Sequence, residues 1–232
     1  ATDRYGARTP SHIKNDAFSG NAGILYVADN GLTPYLSYAE SFQPAGSTAT
    51  QSFERTAFDP ITGKQWEVGL KYQPASFDGL ITVSAYDLRQ QNVLTDDPDR
   101  SHNTCGTTGT SQCQVQDGEG RVRGVELEGR VTPLQGFSVI GAASWMESEV
   151  TRSNNGYAGN ELAMVPDWTT SLWGDYTFQG GALEGLSLAA GMRYNGKSYG
   201  DSANLYRIPS YTLWDAAIRY DVGLYGAGGT QL

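Results

Sequence analysis

Two cysteines and two histidines are the residues of this sequence best suited to metal or redox chemistry. Cys105 and Cys113 lie in a segment rich in Gly, Thr and Ser, and His102 is the one histidine near them. A metal site needs more ligands than this, whereas a disulfide that closes a small loop needs nothing further. We therefore predict a disulfide between Cys105 and Cys113, formed in an oxidising compartment.

The acidic residues that precede these cysteines are the second candidate for metal chemistry. Asp96, Asp97, Asp99 and Asn103 offer oxygen ligands of the kind that calcium prefers. They lack the flanking helices, the glycine and the terminal glutamate of a calcium-binding loop, so a solvated acidic loop explains them better. No spacing in the chain points to a nucleophile with its base, and we predict neither a metal site nor a catalytic site.

Composition and charge exclude several classes of protein. The formal net charge of -9 leaves no basic face for nucleic acid. Mean hydropathy is -0.42, and no stretch approaches the roughly 18 consecutive apolar residues of a membrane-spanning helix. Abundant Gly and Tyr favour β-structure with many turns over helix. The first ten residues, 1–10, have no apolar core of a signal peptide, so we expect a removed leader or a start within a longer protein.

Alternation of apolar and polar residues predicts nine strands in an all-β meander. Most of them are longer than the roughly 5 to 6 residues usual in soluble sheets and match the roughly 9 to 11 of a tilted membrane-crossing strand. The predicted segments are residues 16–29, 33–43, 64–74, 79–93, 121–132, 137–150, 166–179, 185–198 and 210–223.

The connections between these strands alternate between short and long. Short turns are predicted at residues 29–32, 74–79, 132–136 and 179–185, and long loops at 44–63, 94–120, 151–165 and 199–209. An outer-membrane barrel has short periplasmic turns at one rim and long extracellular loops at the other. The pattern therefore favours a transmembrane barrel and assigns each strand a direction.

Aromatic residues repeat at the ends of the predicted strands. Trp168 and Phe178 share a face of one strand and are separated by roughly 25 Å along the membrane normal, the height of the apolar band. The same polarity, with Trp toward the loops, recurs in three other pairs: Trp66 with Tyr72, Trp214 with Tyr220, and Trp145 with Phe137. These positions are typical of two aromatic girdles.

Charged residues occupy the opposite faces of the same strands. Glu126 and Glu128, for example, alternate with Val125 and Leu127. Charge in mid-strand is costly toward lipid and tolerated toward a wet interior. A soluble antiparallel sandwich with one polar face is the alternative. We predict that five side chains point outward: Val125, Leu127, Leu188, Ile218 and Tyr220.

Several short runs resemble one family of receptors. They include Ser37–Phe42, Gly63–Tyr72, Arg123–Glu128 and Pro209–Asp215. In order and spacing they are similar to TonB-dependent outer-membrane siderophore receptors, with the greatest likeness to the ferrichrome-type, hydroxamate branch. The resemblance covers almost the whole chain.

The resemblance implies a barrel of about 22 strands closed around an N-terminal plug in the Gram-negative outer membrane. Residues 1–232 would be part of its C-terminal barrel, strands twelve to twenty, without the plug, the early strands and the last two strands. The family implies binding of an extracellular ferric siderophore, import with energy from TonB, and contact with outer-membrane lipid and lipopolysaccharide. The siderophore is the transported ligand, and no cofactor is held.

Aromatic residues in the long loops are the predicted ligand contacts, because hydroxamate siderophores present an apolar and amide shell. They are Phe53, Phe58, Tyr157, Tyr199 and Tyr206; for each, packing within the loops is the alternative. Other functions remain open at this point. A passive porin or another surface barrel would share the strand pattern, an adhesin would need no membrane, and a barrel enzyme would need an acid–base set that the loops do not offer.

Overall fold

The computed structural model describes residues 18–45, 51–54, 57–106 and 109–221. Within them, nine strands form one antiparallel sheet in which every strand pairs with its neighbours in the sequence. They are β1 (Asn21–Leu25), β2 (Leu32–Gln43), β3 (Ile61–Tyr72), β4 (Asp78–Asp96), β5 (Gln114–Leu134), β6 (Phe137–Arg152), β7 (Trp168–Thr177), β8 (Leu186–Asn195) and β11 (Tyr211–Tyr220). The short strands β9 (Ser198–Tyr199) and β10 (Arg207–Ile208) form a separate pair, and Gly181–Leu183 is a single 3-10 turn.

The predicted all-β meander is confirmed. Residues 16, 17, 222 and 223 of the first and last predicted strands, and His12, lie outside the described residues. No helix in the described segments is long and apolar enough to cross a membrane.

The strands β4 and β5 are longer than predicted, and the predicted loop 94–120 is wrong at both ends. They contain 19 and 21 residues, so the connecting loop is confined to residues 97–113. The register shifts between Gln90 and Val93, where Asn92 adopts a φ of 60°. A bulge of this kind breaks the alternation of side chains, which is why the sequence pattern ended too early.

Two glycines make the short turns possible. The two residues Gln135 and Gly136 connect β5 to β6, and Gly136 has a φ of 81°. A Cβ at Gly136 would also lie 2.4 Å from the carbonyl oxygen of Thr177. Gly31, with a φ of 82°, occupies the equivalent place before β2. Only glycine adopts this conformation without cost, so these turns fix the register of the hairpins they join.

The sheet has two faces of opposite character. We call the first the apolar face, and it carries the five side chains predicted to point outward, which are exposed by between 43 and 76%. Their predicted orientation is confirmed. Among the described residues, the buried apolar side chains are limited to Phe58, Cys105, Cys113 and Ala189. The sheet therefore has no hydrophobic core of its own, and its apolar face needs an apolar surrounding.

The second face, the polar face, carries hydrogen bonds and ion pairs between strands. The Tyr35 hydroxyl donates to Glu67 Oε1 at 2.6 Å, and Arg193 is paired with Asp215 at 3.1 Å. Arg219 of β11 reaches across β8 to Asp175 of β7. Because these charges all lie on one face, the alternation predicted from the sequence is present in the structure.

The tryptophans on the apolar face lie near the end of the sheet at which the long loops are found, which we call the loop end. In the register, Trp66 of β3 is aligned with Glu147 of β6, which is two residues nearer to the loop end than Trp145. Trp145 pairs directly with Trp168 of β7. Relative to the rows of paired residues that run across the strands, the tryptophans therefore lie two residues farther from the loop end at β7 than at β3.

The same displacement continues to the last strand of the sheet. Trp214 of β11 is aligned with Leu172 of β7, four residues farther from the loop end than Trp168. The total is six residues over six strand-to-strand steps. At about 3.3 Å per residue and about 4.8 Å per strand, a level line of tryptophans implies strands tilted by roughly 35°. This tilt is the one that membrane barrels have.

Candidate functional site

The loop that joins β4 to β5 is closed by a disulfide. Cys105 and Cys113 are bonded to each other, with their Cα atoms 5.0 Å apart. Inside the loop, Cys105 and Ser111 exchange two backbone hydrogen bonds of 2.9 Å. The backbone N–H of Asp97 donates to the carbonyl oxygen of Cys113. The covalent bond and these hydrogen bonds hold both ends of residues 97–113 together.

The carboxylate of Asp97 organises the same loop from within. Asp97 is 7% exposed; its Oδ1 accepts from the backbone N–H of Asp99, and its Oδ2 lies 2.8 Å from Nδ1 of His102. Hydrogen bonds from the hydroxyl and the backbone N–H of Ser101 hold the pKa of Asp99 below its ordinary value. The carboxylates thus serve the loop itself, and in the described part of the chain no group of three potential ligands is arranged to hold a metal ion.

The loop before β3 is attached to β4 and β5. The side-chain amide of Gln116 and the backbone of Asp59 exchange two hydrogen bonds, of 2.6 and 2.5 Å. Asn92, at the bulge, donates to the carbonyl oxygen of Pro60. Phe53 stacks on the His102 ring with centroids 3.6 Å apart. These contacts join two loops that are distant in sequence.

The loops after β6 and β8 are joined in the same manner. Asn204 accepts a hydrogen bond from the backbone N–H of Glu161 at 2.8 Å and donates one to its carbonyl oxygen at 3.0 Å. The Asn160 amide donates to the carbonyl oxygen of Ser202, and Asn155 donates to that of Asp96. The described segments of the four loops therefore form one connected collar at the loop end.

Two open cavities lie beneath this collar on the polar face. The first has a volume of about 370 Å³ and the second about 320 Å³. Gln90, Gly120 and Leu162 line both. The linings combine aliphatic side chains with amides and hydroxyls, and the second cavity also includes Asp96 and the ion pair of Glu119 with Arg152. Such linings are suited to a ligand that carries both apolar and amide groups.

The structure distributes the five predicted ligand contacts over the collar. Tyr157 lines the second cavity. Phe53 stacks on His102, and Phe58 is 7% exposed. Tyr199 belongs to β9, and its carbonyl oxygen accepts from the Met164 N–H. Tyr206 is 68% exposed and lies beside Gly200. Of the five, Tyr157 lines one of the two cavities, and the role of all five in binding stays a prediction.

Other residues of this region gave no signal in the sequence. Leu162, Gln90 and Gly120 are ordinary loop and strand residues by type, and Asn204 is one asparagine among several. Their position in the site depends on which segments meet across the collar. Gly120 falls within the predicted loop 94–120, whereas the structure places it inside β5, where a glycine can mark the close approach of another segment.

Two short motifs in this chain match catalytic patterns that the sequence reasoning overlooked. Residues Gly191–Ser198 match the spacing of a phosphate-binding loop, and Gly196–Gly200 match a nucleophile elbow. Both patterns require a sharp turn that leads into a helix. Here Gly191 lies within β8, Ser198 within β9, and Lys197 is paired with Asp167 at 3.7 Å. Neither motif has the structure that its chemistry needs.

Comparison with protein families assigns the chain. Residues 1–230 match the family described as TonB dependent receptor-like, beta-barrel. The chain belongs to this family. In a TonB-dependent receptor of the Gram-negative outer membrane, the apolar face defined above is the lipid side and the loop end is extracellular.

Curated relatives include transporters of iron complexes. The chain is 40% identical over 226 residues to the ferrichrome outer membrane transporter/phage receptor of Escherichia coli K12, which covers 97% of this chain and 28% of that protein. It is 30% identical to the ferrioxamine B receptor of Salmonella typhimurium LT2, over 94% of this chain and 29% of that protein. The chain thus spans less than a third of the length of the relatives it matches.

Solved structures share the fold. The siderophore receptor PiuA of Acinetobacter baumannii aligns with a TM-score of 0.69 and 26% identity, over 88% of this chain and 29% of that one. The ferripyoverdine receptor of Pseudomonas aeruginosa aligns with a TM-score of 0.71 over 93% of this chain and 28% of that one. At 20% identity, the second likeness concerns the fold alone.

Proposed function

We propose that this chain is part of an active-transport receptor that binds an extracellular ferric siderophore and imports it with energy from TonB. The observation that carries the proposal is the position of two cavities with mixed apolar and amide linings at the extracellular end of the lumenal wall, in a chain that is 40% identical to a ferrichrome transporter. The proposed ligand class is the ferric hydroxamates, because the named ligands of the two curated relatives are ferrichrome and ferrioxamine B.

The proposal includes a larger parent protein. Within the described residues the sheet ends at two edge strands, β1 and β11, and exposed edges are avoided in stable barrels. We infer that residues 1–232 are part of a C-terminal barrel domain whose remaining strands and N-terminal plug lie elsewhere in the parent. The polar face, with Glu67, Glu126 and Glu128, would then form the wall opposite the plug. Coupling to TonB would run through the plug.

The proposed lipid partner is supported by charges on the outer surface. Beyond the tryptophans, the lipid side carries ion pairs between neighbouring strands: Glu40 with Lys64 at 3.7 Å, Asp87 with Arg121, and Arg123 with Glu147 at 3.0 Å. Charges at this level lie where lipid headgroups begin. We propose contact with the phosphate and sugar headgroups of lipopolysaccharide there.

Transport by this receptor requires binding and a conformational change, and no covalent step is proposed. The competing candidate, a passive porin, would need no energy source. Uptake of radiolabelled ferrichrome by cells that express the full-length protein as their one hydroxamate receptor distinguishes the two. Uptake that disappears on deletion of TonB supports the receptor. Uptake that persists without TonB would assign the protein to the porins, and no uptake of any ferric hydroxamate would refute the ligand class.

A further inference from the structure

The two cavities beneath the collar share three lining residues, which we call the partition. Leu162, Gln90 and Gly120 line both of them, and the cavities have volumes of about 370 and 320 Å³. Gln90 and Gly120 belong to β4 and β5 and are fixed in the wall. Leu162 comes from the loop after β6, so it is the part of the partition that lies outside the sheet.

The wall is shaped to receive this leucine. A Cβ at Gly120 would lie 3.3 Å from Cδ2 and 3.6 Å from Cδ1 of Leu162. The first distance is closer than ordinary van der Waals contact, so any larger residue at position 120 would displace the leucine side chain. Glycine therefore leaves the space into which the isobutyl group packs.

The backbone of Leu162 is held from two sides. Its N–H donates to Oγ of Ser148, a β6 residue that is 8% exposed, at 3.1 Å. The preceding residue, Glu161, exchanges two hydrogen bonds with the Asn204 amide. Asn204 has a φ of 57°, a conformation that asparagine tolerates better than most residues. The sheet and the neighbouring loop thus fix where Leu162 points.

The linings on the two sides of Leu162 fit the same chemistry. The first cavity combines Leu88 and Val122 with the Gln90 amide. The second adds Val93 and the Tyr157 ring, and its charged lining residues include Glu119 and Arg152, which form an ion pair at 3.5 Å. A ferric hydroxamate presents methylene and acyl groups beside amide and hydroxamate oxygens, which these side chains match. A partition at this place would set how much of such a ligand the wall accepts.

We propose that Leu162 is a specificity-determining residue, which limits the size of the acyl groups of a ferric hydroxamate bound at this wall, and that Asn204 is its positioning residue. The inference rests on the proposed binding of ferric hydroxamates. The size limit on the acyl groups is thus set by Leu162 of one loop, which Asn204 of a second loop holds in place.

The test uses the purified full-length receptor and two probes that differ only in their hydroxamate acyl groups. They are ferrichrome and an analogue in which the three hydroxamate acetyl groups are replaced by isovaleryl groups, each titrated by calorimetry. The measured quantity is the Kd of the analogue divided by that of ferrichrome. Leu162→Ala is expected to lower this ratio at least fivefold, because it joins the cavities, and Leu162→Trp is expected to raise it at least fivefold. Met164→Ala, in the same loop and 68% exposed, is the matched control and keeps the wild-type ratio.

Asn204 is tested by the same ratio. Asn204→Gly preserves the backbone conformation and removes both hydrogen bonds to Glu161, so it is expected to shift the ratio in the direction of Leu162→Ala. Asn204→Asp retains the acceptor for the Glu161 N–H but places a carboxylate oxygen against the Glu161 carbonyl oxygen, so it is expected to shift the ratio in the same direction as Asn204→Gly. Leu205→Ala, 86% exposed in the same loop, is the control. A loss of loop packing alone would weaken both probes equally and leave the ratio unchanged.

Three results would count against the inference, and they are distinguishable. If wild type binds both probes but the Leu162 variants keep its ratio within twofold, the partition does not set specificity. If wild type binds neither probe, the proposed ligand class fails, and the inference fails with it. A wild-type ratio in Asn204→Gly would remove Asn204 from its positioning role.

Discussion

Gln116 and Asp59 are separated by 57 positions in the sequence and exchange two hydrogen bonds, from the Asp59 N–H to the Gln116 side chain and from that side chain to the Asp59 carbonyl oxygen. The amide of Gln116 thereby pairs with a peptide group as a neighbouring strand would. Asn204 and Glu161 repeat the arrangement. Side-chain amides therefore connect the collar at points where no strand pairing exists.

Gln116→Ala should loosen the loop before β3. Losing two hydrogen bonds costs about 1 to 2 kcal/mol of local stability, which raises the population of the open loop roughly 5- to 30-fold. Hydrogen exchange of the peptide that contains residues 57–60 measures this effect, and the strands should keep their protection. Gln114→Ala, two residues earlier on β5, is the control. Unchanged exchange at residues 57–60 would contradict a fastening role for Gln116.

The bond between Cys105 and Cys113 should be present in exported protein. Non-reducing mass spectrometry should find the peptides of both cysteines joined and two hydrogen atoms lighter than the reduced pair. Replacing both by Ser should destabilise the closed loop by about 2.5 kcal/mol, from the entropy of closing so short a loop. Hydrogen exchange should therefore rise within residues 97–113 while the unfolding temperature of the barrel stays the same. Two free thiols in the exported protein would refute the pairing.

An arginine should be tolerated on one face of β7 and not on the other. Leu172 lies on the lipid side, four residues from Trp168 in the direction away from the loops, whereas its neighbour Ser171 faces the lumen. Leu172→Arg should cost about 2 to 4 kcal/mol, and Ser171→Arg much less. Denaturant unfolding of the full-length protein in lipid vesicles measures both. Equal costs at the two positions would contradict the assignment of the lipid side to the face that carries Leu172.

The aromatic loop residues give a prediction about affinity. Replacing Tyr157, Tyr199 and Tyr206 together by Ala should weaken ferric siderophore binding about a hundredfold, since each buried aromatic contact is worth above about 1 kcal/mol. The barrel should remain folded because loop side chains add little to strand pairing. Ligand titration on the full-length protein gives the affinity, and heat-modifiable gel mobility is the control for folding. An unchanged affinity would identify these three residues as packing elements.

The loop after β4 should respond to acid through Asp99. Ser101 lowers the folded-state pKa of Asp99 below its ordinary value of 3.8. The stability from the hydrogen bonds that the Asp99 carboxylate accepts is therefore fully present above pH 3.8. It is lost as the pH falls through the lower folded-state pKa. A carboxyl-carbon NMR titration of wild type against Ser101→Ala should show a higher midpoint in the variant. The same midpoint in both would mean that Ser101 does not stabilise the carboxylate.

The sheet was predictable because its information is local. Alternation along each strand, glycines at the turns and tryptophans at one end are read from a few adjacent residues, and the apolar positions such as Leu127 and Ile218 follow from that phase. The prediction failed at the ends of β4 and β5, where the conformation of Asn92 shifts the register. An asparagine such as Asn92 can form a bulge or continue a strand regularly. Which of the two conformations it adopts depends on the pairing with the neighbouring strand.

The candidate site was much less predictable. Aromatic residues in loops are visible by type, so Tyr157 was included, but Leu162 looks like any loop leucine. Its placement depends on Gly120, Ser148 and Asn204, which are 42, 14 and 42 positions away in the sequence. Contacts of this range form only when the strands have brought the loops together, and no periodic pattern records them.

The displacement of the tryptophans from strand to strand means that the bilayer can favour the correct strand pairing over incorrect ones. A slip of one residue between β5 and β6 would move Trp145 to the lumenal side and turn Ser144, and with it every other residue of β6, toward lipid. A slip of two would keep the faces but raise or lower Trp145 by roughly 7 Å along the strand relative to Trp66. Either error would expose mismatched side chains to hydrocarbon. The lipid would therefore destabilise an incorrectly paired sheet even where the contacts within the protein are similar.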